Sequence, residues 1–256
     1  MFASNFVLEN YLDRIGFTGT PKADAETLKK IMQSQLRTVP FENLDVQAGK
    51  IVSMVPEEIV DKIVHKQRGG YCYEVNGLFA MAMQALGIQF KLLGARPMFY
   101  PTRRPKTHMV ILASVDGQDW LCDVGFGSYG INQPLNLNTI GTEVKQGFDT
   151  FTVQKLDEKD FVLKALVDNE WANQYSFDLY AHDFIDFMPA NYMNSTHPDS
   201  VFVQKPLIVV HTENGRKILF GDSLKIVSES GTEQQQVTAD KLSDILKREF
   251  NLEQPQ

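Results

Sequence analysis

Residues 68–87, RGGYCYEVNGLFAMAMQALG, decide how the chain divides. Gly69 and Gly70 break the periodic run before them, and from Cys72 onward helix formers continue to Gly87, a suitable C′ residue. Val75, Leu78, Phe79, Ala82 and Leu86 fall on one stripe of that helix. Upstream, DAETLKKIMQSQLRTVP offers Asp24 as N-cap, Leu28, Ile31, Met32 and Leu36 at helical intervals, and Pro40 as a stop. PEEIVDKIVHKQRGG repeats the pattern through Ile59, Ile63 and Val64 until the glycines end it. From Ile88 the texture changes to short β-branched or alternating runs: QFKLLGARPMFY, HMVILASV, WLCDVGF, DTFTVQKL and FVLKALV. PLIVVHTENGRKILF reads as strand, Asn-Gly turn and strand, and TADKLSDILKREFNL as an amphipathic helix through Leu242, Ile245, Leu246 and Phe250. The class is α+β, with a helical unit over 1–87, a β-rich middle over 88–200 and a small α/β element over 201–256.

The 256 residues are 43% hydrophobic, enough for a sizeable core. Lys and Arg number 25 against 32 Asp and Glu, and the resulting −7 argues against a broad nucleic-acid footprint. No apolar run approaches the roughly 20 residues of a membrane helix. The start, MFASNFVLENYLDRIGF, carries acidic residues where a secretory signal carries basic ones, so a cytoplasmic protein is expected. In that reducing compartment Cys72 and Cys122 are not expected to form a disulfide. Without CxxC or HExxH spacing, no metal is expected.

A free cysteine is most often a small buried hydrophobe. Cys72 differs in its placement, because a thiol at a helix start meets unpaired N–H groups and the positive end of the macrodipole. Those N–H groups also suit a developing oxyanion, and Gly69 and Gly70 would let a substrate carbonyl approach the backbone. Such a nucleophile needs an oriented base. In THMVILASVDGQDWLCDVGFG, the Asp116-Gly117 pair signals a two-residue hairpin in which the numbers of opposed residues sum to 233. His108 and Asp123 are then diagonal neighbours on one face, about 7–8 Å apart at the backbone. Cys122 opposes Ile111 on the other face, as core. A His–Asp pair on a strand serves a structural link as well as it serves catalysis. His65, His182, His197 and His211 lack an acidic partner that the sequence places. The order Cys, His, Asp is shared by papain-like and transglutaminase-like enzymes, whose thiolate takes up an acyl group that a second nucleophile removes.

RGGYCYEVNGLF, VPFENLDV (39–46), THMV (107–110), DVGFG (123–127) and STHPDSVF (195–202) together resemble the arylamine N-acetyltransferases of bacterial type. The resemblance implies a papain-like cysteine-enzyme core with a helical first domain, a β-barrel second domain and an α/β lid. It further implies ping-pong transfer from acetyl-CoA to an aromatic amine, hydrazine or hydroxylamine, with no cofactor bound permanently. Cys72 is similar to the family's nucleophile, His108 to its base and Asp123 to the group orienting the imidazole. A depressed thiol pKa and a resting thiolate–imidazolium pair are expected from that pairing. Phe41, Tyr71 and Phe126 lie in blocks lining the family's acceptor site, although each serves equally as core. Gly125, Gly127 and Ser128 resemble its glycine-rich turn beside the pantetheine arm. Arg103, Arg104 and Lys106 form a basic loop, either solvated or facing CoA phosphates. His197 is expected to be a buried structural group. The rival readings are a cysteine hydrolase or transglutaminase on the same triad, a binding module, and a Cys72–Cys122 redox pair.

Overall fold

The computed structural model describes residues 2–127 and 129–253. The helices are α1 (Leu8–Arg14), α2 (Ala25–Thr38), α3 (Leu44–Gln47), α4 (Pro56–Val60), α5 (Cys72–Ala85), α6 (Met188–Thr196), α7 (Val201–Gln204) and α8 (Leu242–Phe250). None of them is long and apolar enough to cross a membrane. One antiparallel sheet contains β2 (Gln89–Pro97), β3 (His108–Val115), β4 (Gln118–Cys122), β5 (Leu135–Asn136), β6 (Val144–Gln146), β7 (Asp149–Lys155), β8 (Phe161–Val167) and β9 (Glu170–Phe177). Its order is β5-β4-β3-β2-β9-β8-β7-β6, a nearly closed barrel. A second sheet follows the order β1-β10-β11-β12-β13, from β1 (Phe41–Glu42) to β10 (Leu207–Thr212), β11 (Gly215–Phe220), β12 (Ser223–Ser228) and β13 (Gly231–Gln236). β1 thus comes from the helical part of the chain, pairing Phe41 with Val209.

Local signals place α2 well. Asp24 accepts the Thr27 N–H at 2.7 Å as the N-cap, and Leu28, Ile31, Met32 and Leu36 are all buried. α5 departs from the one-stripe expectation, because every residue from Cys72 to Met83 is buried. It is the central helix, packed on β2 and β3, which is why it is buried all round. One core runs continuously from the helices through the barrel; a smaller one joins Leu44 to β10–β12 and α8.

Two turns differ from their sequence reading. The run after α4 tightens into a π-turn over Asp61–His65 and reverses at Gln67, whose φ is 53°, before the glycines are reached. Arg14 holds this reversal by donating to the carbonyls of Ile63 and Arg68 at 2.8 and 3.1 Å. The β10–β11 register pairs Thr212 with Gly215, so the turn is Glu213-Asn214 and not Asn-Gly. Gly215 belongs to the strand, where a Cβ would lie 1.9 Å from the Val227 carbonyl oxygen.

A second cavity of about 350 Å³ lies where α2, the β6–β7 turn and the β10–β11 turn meet. His211 lines it, and burial together with the Arg216 and Arg37 charges lowers its pKa from 6.5 to about 3. The folded protein therefore holds His211 neutral. That contribution is complete above pH 6.5 and is lost as pH falls toward 3, because the unfolded chain takes up the proton first. We expect the parent to lose on the order of 2 kcal/mol more than His211→Gln between pH 6.5 and 4.5 in urea unfolding. Parallel pH profiles would sink this account.

Candidate active site

Tyr71, extended at φ −98° and ψ −173°, is the N-cap of α5, and Cys72 is its first helical residue. Glu74 reaches back to accept the Tyr71 N–H at 3.0 Å, the reciprocal half of a capping box. The helix start is thus built by the residues around the thiol. Gly69 and Gly70 serve protein packing here and not substrate approach. A Cβ on Gly69 would lie 2.0 Å from the Pro40 carbonyl oxygen, and one on Gly70 would lie 2.7 Å from the Glu74 carboxylate.

The β3–β4 hairpin has the register expected, from Val115 opposite Gln118 to Ile111 opposite Cys122. Asp116 and Gly117 both have positive φ, 54° and 69°, as a type I′ turn requires. Parity then brings His108 Nε2 to 2.7 Å from Asp123 Oδ2, with both residues buried. Nδ1 is left as the nitrogen available to a second partner. Asp123 Oδ1 accepts from Gly125 N at 2.9 Å and from Asn76 Nδ2 at 3.1 Å, so the carboxylate is fixed at both oxygens. Cys122 is fully buried in the core on the other face.

Cys72 and His108 line one cavity of about 740 Å³. Burial pushes the Cys72 thiol well above its ordinary range, and the Asp123 carboxylate adds to this; the backbone N–H groups of Met109 and Tyr73 oppose it. The depressed thiol and resting thiolate expected from its pairing with an imidazole are therefore not what this environment produces. His108 is the imidazole that lines the same cavity as the sulfur.

The expected site residues are divided by the fold. Phe41, Phe126, Gly125, Gly127 and Arg104 line the cavity. Gly125 lies against the start of α5, where a Cβ would be 2.7 Å from Cys72 Cα, and a Cβ on Gly127 would meet the Phe41 ring at 2.8 Å. Tyr71 does not reach the cavity: it is fully buried, with its hydroxyl bonded to Asn191 and Ser195 and its ring edge-on to Tyr73 and Phe202. Lys106 is drawn aside by an ion pair with Asp178, and Arg103 is an exposed loop residue, so neither lines it. Ser128 lies outside the described residues. His197 is exposed, accepting the Asp199 N–H at 3.2 Å, which corrects its expected burial. His65 has an acidic partner after all, Asp61 at 2.8 Å, and its i, i+4 spacing was legible.

Other contributors carry weaker signals. Asn76 donates to the Met109 carbonyl at 2.8 Å and accepts from Val124 N at 2.9 Å, joining α5 to both strands of the hairpin. An asparagine on the largely apolar helix is its only trace in the sequence. Tyr175 on β9 and Phe126 face the His108 ring at 5.3 and 5.2 Å between centroids. Phe99, Tyr100 and Phe202 add further aromatic surface to the cavity, and Arg104 lies 4.6 Å over the Tyr100 ring. No local pattern marks these residues.

A helix-start thiol sharing a cavity with a carboxylate-anchored imidazole has the form of a triad-type acyl-transfer centre. A family model described as N-acetyltransferase matches residues 24–255. The arylamine N-acetyltransferase of Mycolicibacterium smegmatis is 33% identical, covering 88% of this chain and 84% of that protein. Arylamine N-acetyltransferase 1 of Homo sapiens is 32% identical, covering 85% and 82%. Among solved structures, the M. smegmatis arylamine N-acetyl transferase superposes with a TM-score of 0.92 at 31% identity over 97% of this chain and 93% of that one. The Mycobacterium marinum enzyme in complex with CoA superposes with 0.89 at 31% identity, over 96% and 92%. The chain belongs to the arylamine N-acetyltransferase family.

Proposed function

We propose that this protein moves an acetyl group from acetyl-CoA to a small aromatic amine, hydrazine or hydroxylamine through a thioester on Cys72. The observation carrying this reading is the 2.7 Å bond from His108 Nε2 to Asp123 Oδ2, which leaves Nδ1 as the ring nitrogen for a second partner, in a residue that lines the same cavity as Cys72. In the first half-reaction the Cys72 thiol gives its proton to Nδ1 and the sulfur attacks the acetyl carbonyl. The oxyanion meets the N–H groups at the start of α5. As the C–S bond to CoA breaks, the CoA sulfur takes the proton back from the imidazolium. One thioester replaces another, a near-balanced exchange. In the second half-reaction an amine attacks the acetyl-cysteine and gives its proton to His108, and the Cys72 sulfur leaves with that proton. Asp123 holds the ring and its transient charge throughout.

The acceptor's flat ring is served by Phe126 and Phe41, with Phe99 and Phe202 beside them. Arg104 is the member of the basic loop that faces the cavity and would meet CoA phosphates. The division into 1–87, 88–200 and 201–256 follows the same reading. The first two parts make a papain-like core, and the third is the lid, in keeping with Ile218, Phe220 and Lys225 of the second sheet lining the cavity. Incubation with acetyl-CoA and no acceptor should add one acetyl group per chain, located by proteolysis to the peptide containing Cys72, with release of one equivalent of free CoA thiol. An unmodified chain, or an acetyl group found elsewhere, would refute the proposal.

A further inference from the structure

Behind the cavity, the start of α5 is backed by a buried cluster of five charged side chains. Lys62 Nζ lies 2.7 Å from Glu74 Oε1, 2.7 Å from Asp45 Oδ2 and 3.8 Å from Glu42 Oε1. Arg68 binds Glu42 at 2.7 Å and Asp45 at 2.8 Å. The side chains of Glu42 and Glu74 are 0% and 3% exposed and that of Lys62 13%, so solvent screens these charges little. Three carboxylates face two cations, one negative charge in excess when all are ionised. Arg14 does not correct the balance, since its guanidinium is spent on backbone carbonyls.

Capping α5 requires only a Glu74 oxygen on the Tyr71 N–H. Burying a lysine and two more carboxylates behind that oxygen carries a desolvation cost that capping does not explain. What the cluster does reach is Cys72, two residues from Glu74 on the same first turn, where the Glu74 charge acts against the thiolate. The sulfur also feels the Asp123 carboxylate and shares its cavity with His108; the phenols of Tyr71 and Tyr73, both pushed up by burial, stay neutral.

We propose that Glu74, balanced by Lys62, is a positioning residue that sets how readily Cys72 ionises. The proposal rests on the reading of Cys72 as the nucleophile. A carboxylate at 74 opposes a second anion at 72, and the Lys62 ammonium on its far oxygen offsets that opposition. Burial with Glu42 nearby brings Glu74 up to about 7, so the charge it presents to Cys72 changes with pH in the physiological range.

The test is the pH dependence of Cys72 alkylation by iodoacetamide, resolved by mass spectrometry on the full chain with Cys122 as internal reference. Glu74→Gln should move the midpoint to lower pH, with alkylation below the parent midpoint at least about threefold faster. Lys62→Gln should move it to higher pH, and the double variant should return near the parent. A merely structural pair would not shift two midpoints in opposite directions. If Glu74→Gln fails to fold, Lys62→Gln against Lys62→Arg carries the same test, since only loss of the charge should raise the midpoint. Reactive Cys72 with unmoved midpoints, or with both moved the same way, overturns this proposal alone. Parent Cys72 alkylated no faster than Cys122 overturns the nucleophile reading beneath it.

Discussion

Cys72→Ala is expected to abolish acetyl transfer, and His108→Ala to lower kcat/KM by about 10⁴-fold, with both variants still folded by circular dichroism. The three groups act as one unit, so the double variant should be no slower than Cys72→Ala. Asp123→Asn separates position from charge, and the structure gives its sign. Asn76 Nδ2 and Gly125 N both donate to Oδ1, so an asparagine must turn its carbonyl oxygen toward them. Its amide N–H₂ then faces His108 Nε2 and forces the proton onto Nδ1, the nitrogen that has to accept from sulfur. A loss of about 10³- to 10⁴-fold is expected for this reason, although the side chain keeps its shape. Steady-state rates with acetyl-CoA and an arylamine measure all three. Retention of a tenth of the parent rate by Asp123→Asn would remove the carboxylate from the mechanism.

Asp149→Ala should cost about 3–5 kcal/mol in urea unfolding, a large part of the 5–15 kcal/mol that ordinary domains possess. Arg216 is 2% exposed and forms a two-pronged pair with Asp149, whose second contact is 3.2 Å; its guanidinium also lies 4.6 Å over the Tyr129 ring. This pair ties β7 of the barrel to β11 of the second sheet. Removing the carboxylate leaves a buried cation beside His211, its direct neighbour across β10 and β11, without its ion-pair partner. Replacing both partners, Asp149→Val with Arg216→Met, should restore most of the loss, since the cost lies in the orphaned charge and not in the missing attraction. A loss below about 1 kcal/mol for Asp149→Ala would mean that Arg216 finds another partner. Because Ile218 lies on the same strand and lines the cavity, transfer should weaken alongside stability.

The features legible in the amino-acid order are those that neighbours along the chain impose. Asp24 and the spacing of Leu28, Ile31, Met32 and Leu36 specify α2. The Asp116-Gly117 turn sets a register, and that register alone puts His108 and Asp123 on one face, because a pleated strand alternates with period two. The glycine pair and the helix formers after it place Cys72 at a helix start. Other features depend on segments meeting across long separations, for which periodicity and turn stereochemistry carry no signal. β1 pairs with a strand more than 160 residues later; Tyr71 is drawn to Asn191 and away from the cavity; Tyr175 arrives beside His108 from β9, two strands away in the sheet and more than 60 residues later in the chain. Lys106 and Arg104, two residues apart, separate because one meets Asp178 and the other faces the cavity. The state of the thiol belongs to this second group: a helix end favours the anion, but how far burial and nearby carboxylates oppose it follows only from which side chains the finished packing encloses with it.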